Sequence, residues 1–223
     1  MSSSKSDTSM LHKIPLFSSL TEAQLAAVTQ RAAIKSYPRN TILVTEGDDT
    51  DSLFVVQTGK VKVFLSDAEG KELILNIQGP GDYFGEVALL DDAPRSASVM
   101  TLDDTRCLVI GKRDFQECLL QNPQIALVLL RDLSQRLRQL TENVKSLALM
   151  DVYGRVARTL LGLAEKRDGQ LVIDQKLTQK DIANMVGASR EMVSRILKDL
   201  TAGGYISVNR GGMTINEKLP AHW

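Results

Sequence analysis

Residues 81–99 read GDYFGEVALLDDAPRSASV, and the rest of the chain is organised around this stretch. Gly85 has no Cβ, so a ligand can approach the backbone closely at this position. Arg95 supplies a permanent positive charge and a planar fork that suits phosphate oxygens, and Ser96 adds a hydroxyl. The stretch therefore predicts a phosphate cradle, formed by residues 85–96.

The same segment indicates what else the ligand carries. Val87 and Ala88 are expected to open a short helical turn, whose free N–H groups favour an anion. Glu86 stands nine residues before Arg95, and its carboxylate can accept a hydrogen bond from a sugar hydroxyl. The segment therefore predicts a ligand that carries both a ribose and a phosphate. The alternative is an ordinary surface loop in which Glu86 and Arg95 form a solvated ion pair.

Composition indicates a soluble globular protein. The chain has 223 residues, which is long enough for one large domain or two ordinary ones. Its formal net charge is zero and 43% of its residues are hydrophobic, as in globular proteins. No run approaches the ~20 apolar residues that cross a bilayer, and residues 1–9 are Ser-rich and polar, without the apolar core of a signal peptide. We expect a flexible N-terminal arm over 1–13, cytoplasmic residence and no membrane partner. Residues 150–223 carry 11 Lys and Arg against 8 Asp and Glu, so the C-terminal part of the chain is the part suited to bind polyanions.

The metal-ligating and nucleophilic residue types are sparse. Two cysteines, Cys107 and Cys118, cannot supply the four thiolates of an iron–sulfur cluster, and we expect both to be buried. His12 and His222 lie near opposite ends without other ligands at metal-binding spacing. No catalytic constellation is readable, so the sequence predicts no prosthetic group and no enzyme.

Short β-rich runs dominate the first half of the chain. They are separated by glycine turns at a spacing typical of a sandwich or barrel. The runs are 41–44, 53–56, 61–65, 73–77, 98–101 and 107–110. A helix capped by Thr21 precedes them.

A long helix is predicted from Pro123 to about Leu147. Apolar residues recur along it in alternating three- and four-residue steps, as in a coiled-coil seam. They are Leu130, Leu133, Leu137, Leu140, Val144 and Leu147. We interpret this as a dimerisation helix; the alternative is a helix packed on its own domain. Asp151 is expected to cap the next helix, from residue 152 to 165.

A pair of helices follows, joined by a turn at Gly187. Thr178, with Asp181 three residues later, is expected to cap the first helix, and Ser189 the second. In the second helix Met192, Val193, Ile196, Leu197 and Leu200 are predicted to face inward, leaving a polar and basic outer face. This is the helix-turn-helix pattern, with a wing hairpin over residues 203–215; the alternative is a helical hairpin with an ordinary solvated face.

Two of these motifs resemble one known family. Residues 81–99 resemble the phosphate-binding cassette of cyclic-nucleotide-binding domains, and their Arg-Ser-Ala ending looks like the cyclic AMP receptor branch of the CRP/FNR transcription regulators. Residues 187–197, GASREMVSRIL, resemble the recognition helix of the same family. The resemblance implies an α+β fold: a jelly-roll-like β-roll over 14–122, a dimerisation helix and hinge over 123–149, and a winged helix-turn-helix domain over 150–223.

The resemblance also implies the ligand and its contacts. Cyclic AMP is the expected allosteric effector, with cyclic GMP or cyclic di-GMP as alternatives. The implied ligand-binding residues are Gly85, Glu86, Val87, Ala88, Arg95 and Ser96, with Leu140 and Thr141 at the positions that read the base. Thr141 keeps a hydroxyl, but Leu140 is apolar, so this pair departs from the family's Thr-Ser pattern.

The remaining implications concern DNA. The expected partners are a second copy of the chain, a palindromic double-stranded site of TGTGA-like half-sites, and RNA polymerase. Arg190 and Arg195 suit guanine O6 and N7, and Glu191 suits cytosine N4. The implied DNA-binding residues are Thr178, Gln179, Ser189, Arg190, Glu191, Ser194, Arg195 and Lys198. The rival functions are a redox-sensing or ligand-independent member of the family and a module that regulates a partner protein; activator and repressor roles stay open.

Overall fold

The computed structural model describes residues 14–49, 51–167, 169–174, 177–209, 211–217 and 219. The predicted N-terminal arm, His12 and His222 lie outside these residues. The chain divides into two compact units. The first comprises the chain up to Leu65 together with Leu75–Leu137, and the second comprises Ser66–Ile74 and the chain from Arg138 onward. The finer domain boundaries given above stay a prediction.

The helices, within the described residues, follow a short 3-10 turn at Pro15–Phe17. They are α1 (Glu22–Arg31), α2 (Glu86–Leu90), α3 (Lys112–Gln121), α4 (Pro123–Leu149), α5 (Val152–Leu163), α6 (Gln179–Val186) and α7 (Arg190–Ala202).

The strands are short, as the glycine spacing predicts. They are β1 (Ala33–Tyr37), β2 (Ile42–Val44), β3 (Ser52–Thr58), β4 (Val61–Ser66), β5 (Glu72–Gln78), β6 (Tyr83–Phe84), β7 (Ser98–Thr101), β8 (Thr105–Gly111), β9 (Glu165–Arg167), β10 (Gln170–Ile173), β11 (Ile206–Val208) and β12 (Met213–Ile215).

Two four-stranded sheets build the β-roll. Their strand orders are β1-β8-β3-β6 and β2-β7-β4-β5. Pairing is antiparallel throughout the first sheet and between β2, β7 and β4 in the second. A cluster of buried side chains takes members from both sheets and fills the space between them. Its members include Val44, Val61 and Val99 from one sheet and Phe54, Val56, Phe84, Cys107 and Val109 from the other. The mixture of helices and sheets confirms the predicted α+β class.

The central strands β3 and β8 are buried on both faces. On β8, Cys107 and Val109 point between the sheets, whereas Leu108 and Ile110 join a second cluster. That second cluster covers the opposite face with helical residues such as Leu25 and Phe115, together with others from the start of α4. Because successive side chains of a strand point to opposite faces, a strand covered on both sides needs an unbroken apolar run. This requirement explains the runs LFVV and CLVI.

The second unit has its own core around three helices and a small sheet. Strands β9 to β12 form the order β11-β12-β10-β9. Buried residues from α5, α6, α7 and this sheet form one cluster, which includes Val156, Ile182, Val193, Leu197 and Ile215. The Asp151 carboxylate caps α5, accepting from the Gly154 amide at 2.7 Å, as predicted.

Strands β1, β6, β9 and β10 were not predicted by the sequence pattern. β9 reads Glu-Lys-Arg with every residue exposed, and it exists because its backbone pairs with β10. The predicted extension of α5 to residue 165 is therefore wrong: the helix ends at Leu163, and Glu165 belongs to β9. The charged composition of β9 carries no period-2 signal from which to find it.

Candidate functional site

The cradle begins where β6 meets α2, at a glycine where any other residue would be strained and crowded. Gly85 caps α2 in the left-handed region, with φ of +89°. A Cβ at this position would lie 2.5 Å from Nη1 of Arg95 and 2.9 Å from the Ser52 carbonyl oxygen. Both the backbone conformation and the space therefore favour glycine.

Arg95 lies inside the first unit rather than on its surface. Its Nη1 donates to the Gly85 carbonyl and its Nη2 to the Ser52 carbonyl, both at 2.6 Å, and only 3% of the residue is exposed. Burial lowers the pKa of the guanidinium, while the nearby Glu86 and Asp51 carboxylates oppose this shift. An arginine nevertheless stays charged at neutral pH, so the cradle holds a fixed positive charge.

Glu86, the first residue of α2, is equally buried, with 2% exposed. Its Oε1 accepts from Nη1 of Arg136 at 2.8 Å, whereas its Oε2 is buried without a hydrogen-bond partner among the described residues. Burial raises the pKa of Glu86, and the Arg136 charge opposes that rise. A buried carboxylate oxygen without a donor is costly, so Oε2 marks a place where a ligand hydroxyl would be stabilised. The solvated ion pair between Glu86 and Arg95 is therefore not what the structure contains.

Three residues that the sequence did not assign to the site hold Glu86 in position. Asp132 and Arg136 lie one turn apart on α4, and the Arg136 Nε donates to the Asp132 carboxylate at 2.9 Å. The Tyr83 hydroxyl donates to the same carboxylate oxygen at 2.5 Å. The spacing of an acid and a base four residues apart was the available signal for this pair, but nothing local links it to Glu86.

The other predicted ligand residues differ in their surroundings. Ala88 is buried in α2, Val87 is exposed on it, and Ser96 is exposed in the loop that follows. Leu140 and Thr141 lie on the part of α4 that belongs to the second unit, and both are exposed. Their role in reading a base stays a prediction.

The predicted dimer residues on α4 form a largely exposed apolar series. Leu130, Leu137 and Val144, spaced by seven residues, are 59%, 66% and 65% exposed. Leu140 and Leu147 are also exposed. Leu133 differs, because it is half-buried and packs on the core that also contains Ile125 and Leu129. The first turns of α4 thus pack on their own unit, as the alternative interpretation expects.

Both helices of the helix-turn-helix pair begin with the predicted caps. Thr178 and Asp181 form a capping box, in which the Thr178 hydroxyl accepts from the Asp181 amide at 3.1 Å. Ser189 caps α7, accepting from the Met192 amide at 3.2 Å. Gly187 ends α6 in the left-handed conformation, with φ of +63°. The hydroxyls of Thr178 and Ser189 thus have a structural task, in addition to the DNA contacts that are predicted for them.

The outer face of α7 is polar and basic, as predicted. Val193, Leu197 and Leu200 are buried against the core of the second unit. The predicted DNA-binding residues on the outside are exposed, apart from half-buried Ser194; those exposed are Thr178, Gln179, Ser189, Arg190, Glu191, Arg195 and Lys198. The inward assignment of Met192 is wrong, since 47% of this residue is exposed. Its position, two residues before Ser194, lies on the edge of the apolar stripe, where periodicity decides least.

Both cysteines are buried free thiols, and burial raises the pKa of Cys107 to about 12. Within the part of the chain that the structure describes, no group of three or more His, Cys, Asp or Glu is arranged to hold a metal ion. None of the described helices has the length and apolar character needed to cross a membrane.

Comparison with known families assigns both halves of the chain. Residues 34–122 match the cyclic nucleotide-binding domain family, and residues 154–218 match the Crp-like helix-turn-helix domain family. Together these matches cover more than half of the 223 residues.

Several individual proteins are similar to this chain over most of their length. The chain is 34% identical to a CRP-like cAMP-activated global transcriptional regulator of Mycobacterium tuberculosis, over 93% of this chain and 95% of that protein. It is 37% identical to the cAMP-activated global transcriptional regulator CRP of Salmonella typhimurium, over 82% and 88%. Among solved structures, the c-di-GMP responsive global regulator CLP of Xanthomonas campestris is 25% identical, with a TM-score of 0.75 over 87% of this chain and 99% of that one.

Proposed function

We propose that this chain, which belongs to the CRP/FNR family of transcription regulators, is a homodimer whose DNA binding is controlled by cyclic AMP. The family is one of DNA-binding transcription regulators and not of enzymes. One observation carries the effector part of the proposal: the pairing of a buried, charged Arg95 with a buried Glu86 whose Oε2 has an open acceptor.

The chemistry of a 3′,5′-cyclic nucleotide fits this arrangement. Such a ligand has one negative charge, on its cyclic phosphate, and one free sugar hydroxyl, at the 2′ position. Arg95 supplies the positive charge, and Glu86 Oε2 supplies the acceptor. A hydrogen bond to a charged group contributes about 1.5–3 kcal/mol, so each contact is a substantial part of a micromolar affinity. Ser96 and the first amides of α2 are proposed to complete the phosphate contacts.

Cyclic AMP is the preferred effector, with cyclic di-GMP as the second candidate. The M. tuberculosis and S. typhimurium relatives are named as cAMP-activated regulators, while the structurally similar X. campestris regulator is described as c-di-GMP responsive. Thr141 would bond adenine N6 across the dimer, and apolar Leu140 would not. One missing hydrogen bond is worth about 0.5–1.5 kcal/mol, which reduces discrimination among bases without abolishing binding.

The DNA part of the proposal rests on α7. Arg190 and Arg195 are proposed to read guanine and Glu191 to read cytosine in the major groove, while Gln179, Ser194 and Lys198 contribute backbone and neighbouring contacts. Because a two-fold dimer presents two such helices, the target is an inverted repeat of TGTGA-like half-sites, with centres about 34 Å apart.

Dimerisation is proposed to occur through α4. Exposed leucine and valine side chains at seven-residue spacing leave water only when a second α4 covers them, which favours association. An effector that binds one arrangement of the two subunits better than the other then shifts the population of DNA-binding dimers. RNA polymerase is the proposed downstream partner, and the cytoplasm the proposed compartment.

The deciding experiment is fluorescence anisotropy of a labelled palindrome, titrated with protein alone and with cyclic AMP, cyclic GMP or cyclic di-GMP. We expect cyclic AMP to change the DNA Kd by at least tenfold, with smaller effects from the other two. Arg95→Gln is expected to abolish the nucleotide effect. Arg113→Gln, which changes an exposed arginine of α3 in the same unit, is the matched control. A DNA Kd that no nucleotide alters would refute the effector assignment.

A further inference from the structure

The guanidinium of Arg136 has a defined partner for each of its three nitrogens. Nη1 donates to Glu86 Oε1 at 2.8 Å, Nη2 donates to the Tyr83 carbonyl at 3.1 Å, and Nε donates to Asp132 Oδ2 at 2.9 Å. The guanidinium also lies over the Tyr83 ring, 4.8 Å from its centroid. The orientation of this side chain is therefore fixed from several sides.

This orientation has a consequence for Glu86. An arginine and a carboxylate prefer a two-pronged contact, in which two N–H groups meet both carboxylate oxygens. Here Arg136 meets only Oε1 of Glu86, because its other two nitrogens are held by Tyr83 and Asp132. The Oε2 atom is consequently left buried and without a partner among the described residues.

The polar part of Tyr83 serves this arrangement rather than the core. The ring of Tyr83 is buried in the apolar core of the first unit, where phenylalanine would pack equally well. Its hydroxyl, however, donates to Asp132 at 2.5 Å. That bond fixes the carboxylate oxygen that also holds Nε of Arg136. Tyr83 and Asp132 thus act on Glu86 through Arg136, which is the residue that binds the Glu86 carboxylate.

We infer that Tyr83 and Asp132 are positioning residues that keep Oε2 of Glu86 open for the ligand's sugar hydroxyl, and so set the preference of the pocket for ribose over 2′-deoxyribose. This inference rests on the proposed function, since it concerns the same pocket. Without Asp132 or the Tyr83 hydroxyl, Arg136 turns and occupies both oxygens of Glu86. The phosphate contacts of Arg95 are unaffected by that change.

The test is calorimetry of the full-length protein with two probes, cyclic AMP and 2′-deoxy cyclic AMP. We expect the wild-type protein to bind the ribose compound at least tenfold more tightly. In Tyr83→Phe and Asp132→Asn the ratio is expected to fall to about threefold or less, while the Kd for the deoxy compound stays within about twofold. Tyr37→Phe and Asp114→Asn, which change a half-buried tyrosine of β1 and an ion-paired aspartate of α3, are expected to keep the wild-type ratio.

The outcomes separate the two proposals. If the variants lose affinity equally for both probes, Tyr83 and Asp132 only support the fold. That result would overturn the inference but not the proposed function. An unchanged ratio would also overturn the inference. A wild-type protein that binds neither probe would refute the proposed function, and the inference with it. Tyr83→Phe removes one buried oxygen and preserves the ring, so it keeps the test decisive if Asp132→Asn does not fold.

Discussion

In the cradle, Arg95 and Glu86 are almost entirely buried and held by hydrogen bonds, whereas Arg190, Glu191 and Arg195 on α7 are exposed to water. The buried groups have lost their hydration, so each must be stabilised by a protein partner or by a ligand. The exposed groups keep their hydration and need no protein partner. The proposed nucleotide site is therefore already ordered by contacts within the chain, whereas the proposed DNA-binding face is formed by side chains that point into water. Substitutions in the two regions should accordingly differ in whether they change folding together with binding.

The largest expected effect is that of Arg95→Ala. The substitution leaves the carbonyls of Gly85 and Ser52 without their donor, and each buried unsatisfied acceptor costs about 1–3 kcal/mol. We expect a loss of roughly 3 kcal/mol in the free energy of unfolding, measured in urea, and at least a hundredfold loss of cyclic-nucleotide affinity, measured by calorimetry. Unchanged stability would contradict the structural half of this expectation.

Alanine substitutions at two glycines, Gly85 in the cradle and Gly70 outside it, separate the cost of backbone strain from the cost of a steric clash. Gly85 and Gly70 both have φ near +80 to +90°, but a Cβ at Gly70 meets nothing within 4 Å. Gly70→Ala should therefore cost only about 1 kcal/mol of strain. Gly85→Ala adds a clash with the Arg95 guanidinium, so we expect about 1–3 kcal/mol more and weaker nucleotide binding. Equal destabilisation of the two variants in urea would show that the Arg95 contact does not constrain this position.

In the exposed region on α7, Arg190→Ala should change DNA binding and leave folding intact. We expect a cost of about 1–3 kcal/mol in DNA affinity, confined to one base-pair position of the half-site. The free energy of unfolding should stay within about 0.5 kcal/mol of wild type. Anisotropy with a panel of single-base variants of the palindrome measures the DNA affinity, and urea denaturation measures the free energy of unfolding. Uniform weakening across the panel would reassign Arg190 to phosphate contacts.

The smallest expected effect is a pH dependence caused by Glu86. Burial raises the pKa of this carboxyl in the folded protein, so its contribution to stability is fully present below its ordinary pKa and is lost as pH rises through the raised value. Compared with Glu86→Gln, which does not titrate, the wild-type protein should lose relative stability as pH increases from about 4 to 8. Paired urea titrations across this range measure the difference. A difference that grows in favour of wild type with increasing pH would contradict the sign.

How far the sequence predicted this molecule depended on how local each signal was. The caps at Thr178 and Ser189 involve residues three apart, and the sequence located both. The contact between Arg136 and Glu86 joins residues 50 positions apart, and periodicity placed Arg136 only off the seam of α4. β1 is an edge strand paired with β8, and most of its residues are exposed, so it lacks the apolar alternation that reveals a strand. The chemistry of Gly85 and Arg95 was readable, but the burial that makes it effective was not.

Ser52, the acceptor of one Arg95 hydrogen bond, is the first residue of β3. Because β3 is covered on both faces, its amide protons should be among the slowest in the unit to exchange with solvent. The Arg95 guanidinium is thus held by two main-chain carbonyls, that of Ser52 at the start of β3 and that of Gly85 before α2. An anion would therefore meet a positive charge whose position the main chain has already set, so little side-chain order is lost when it binds.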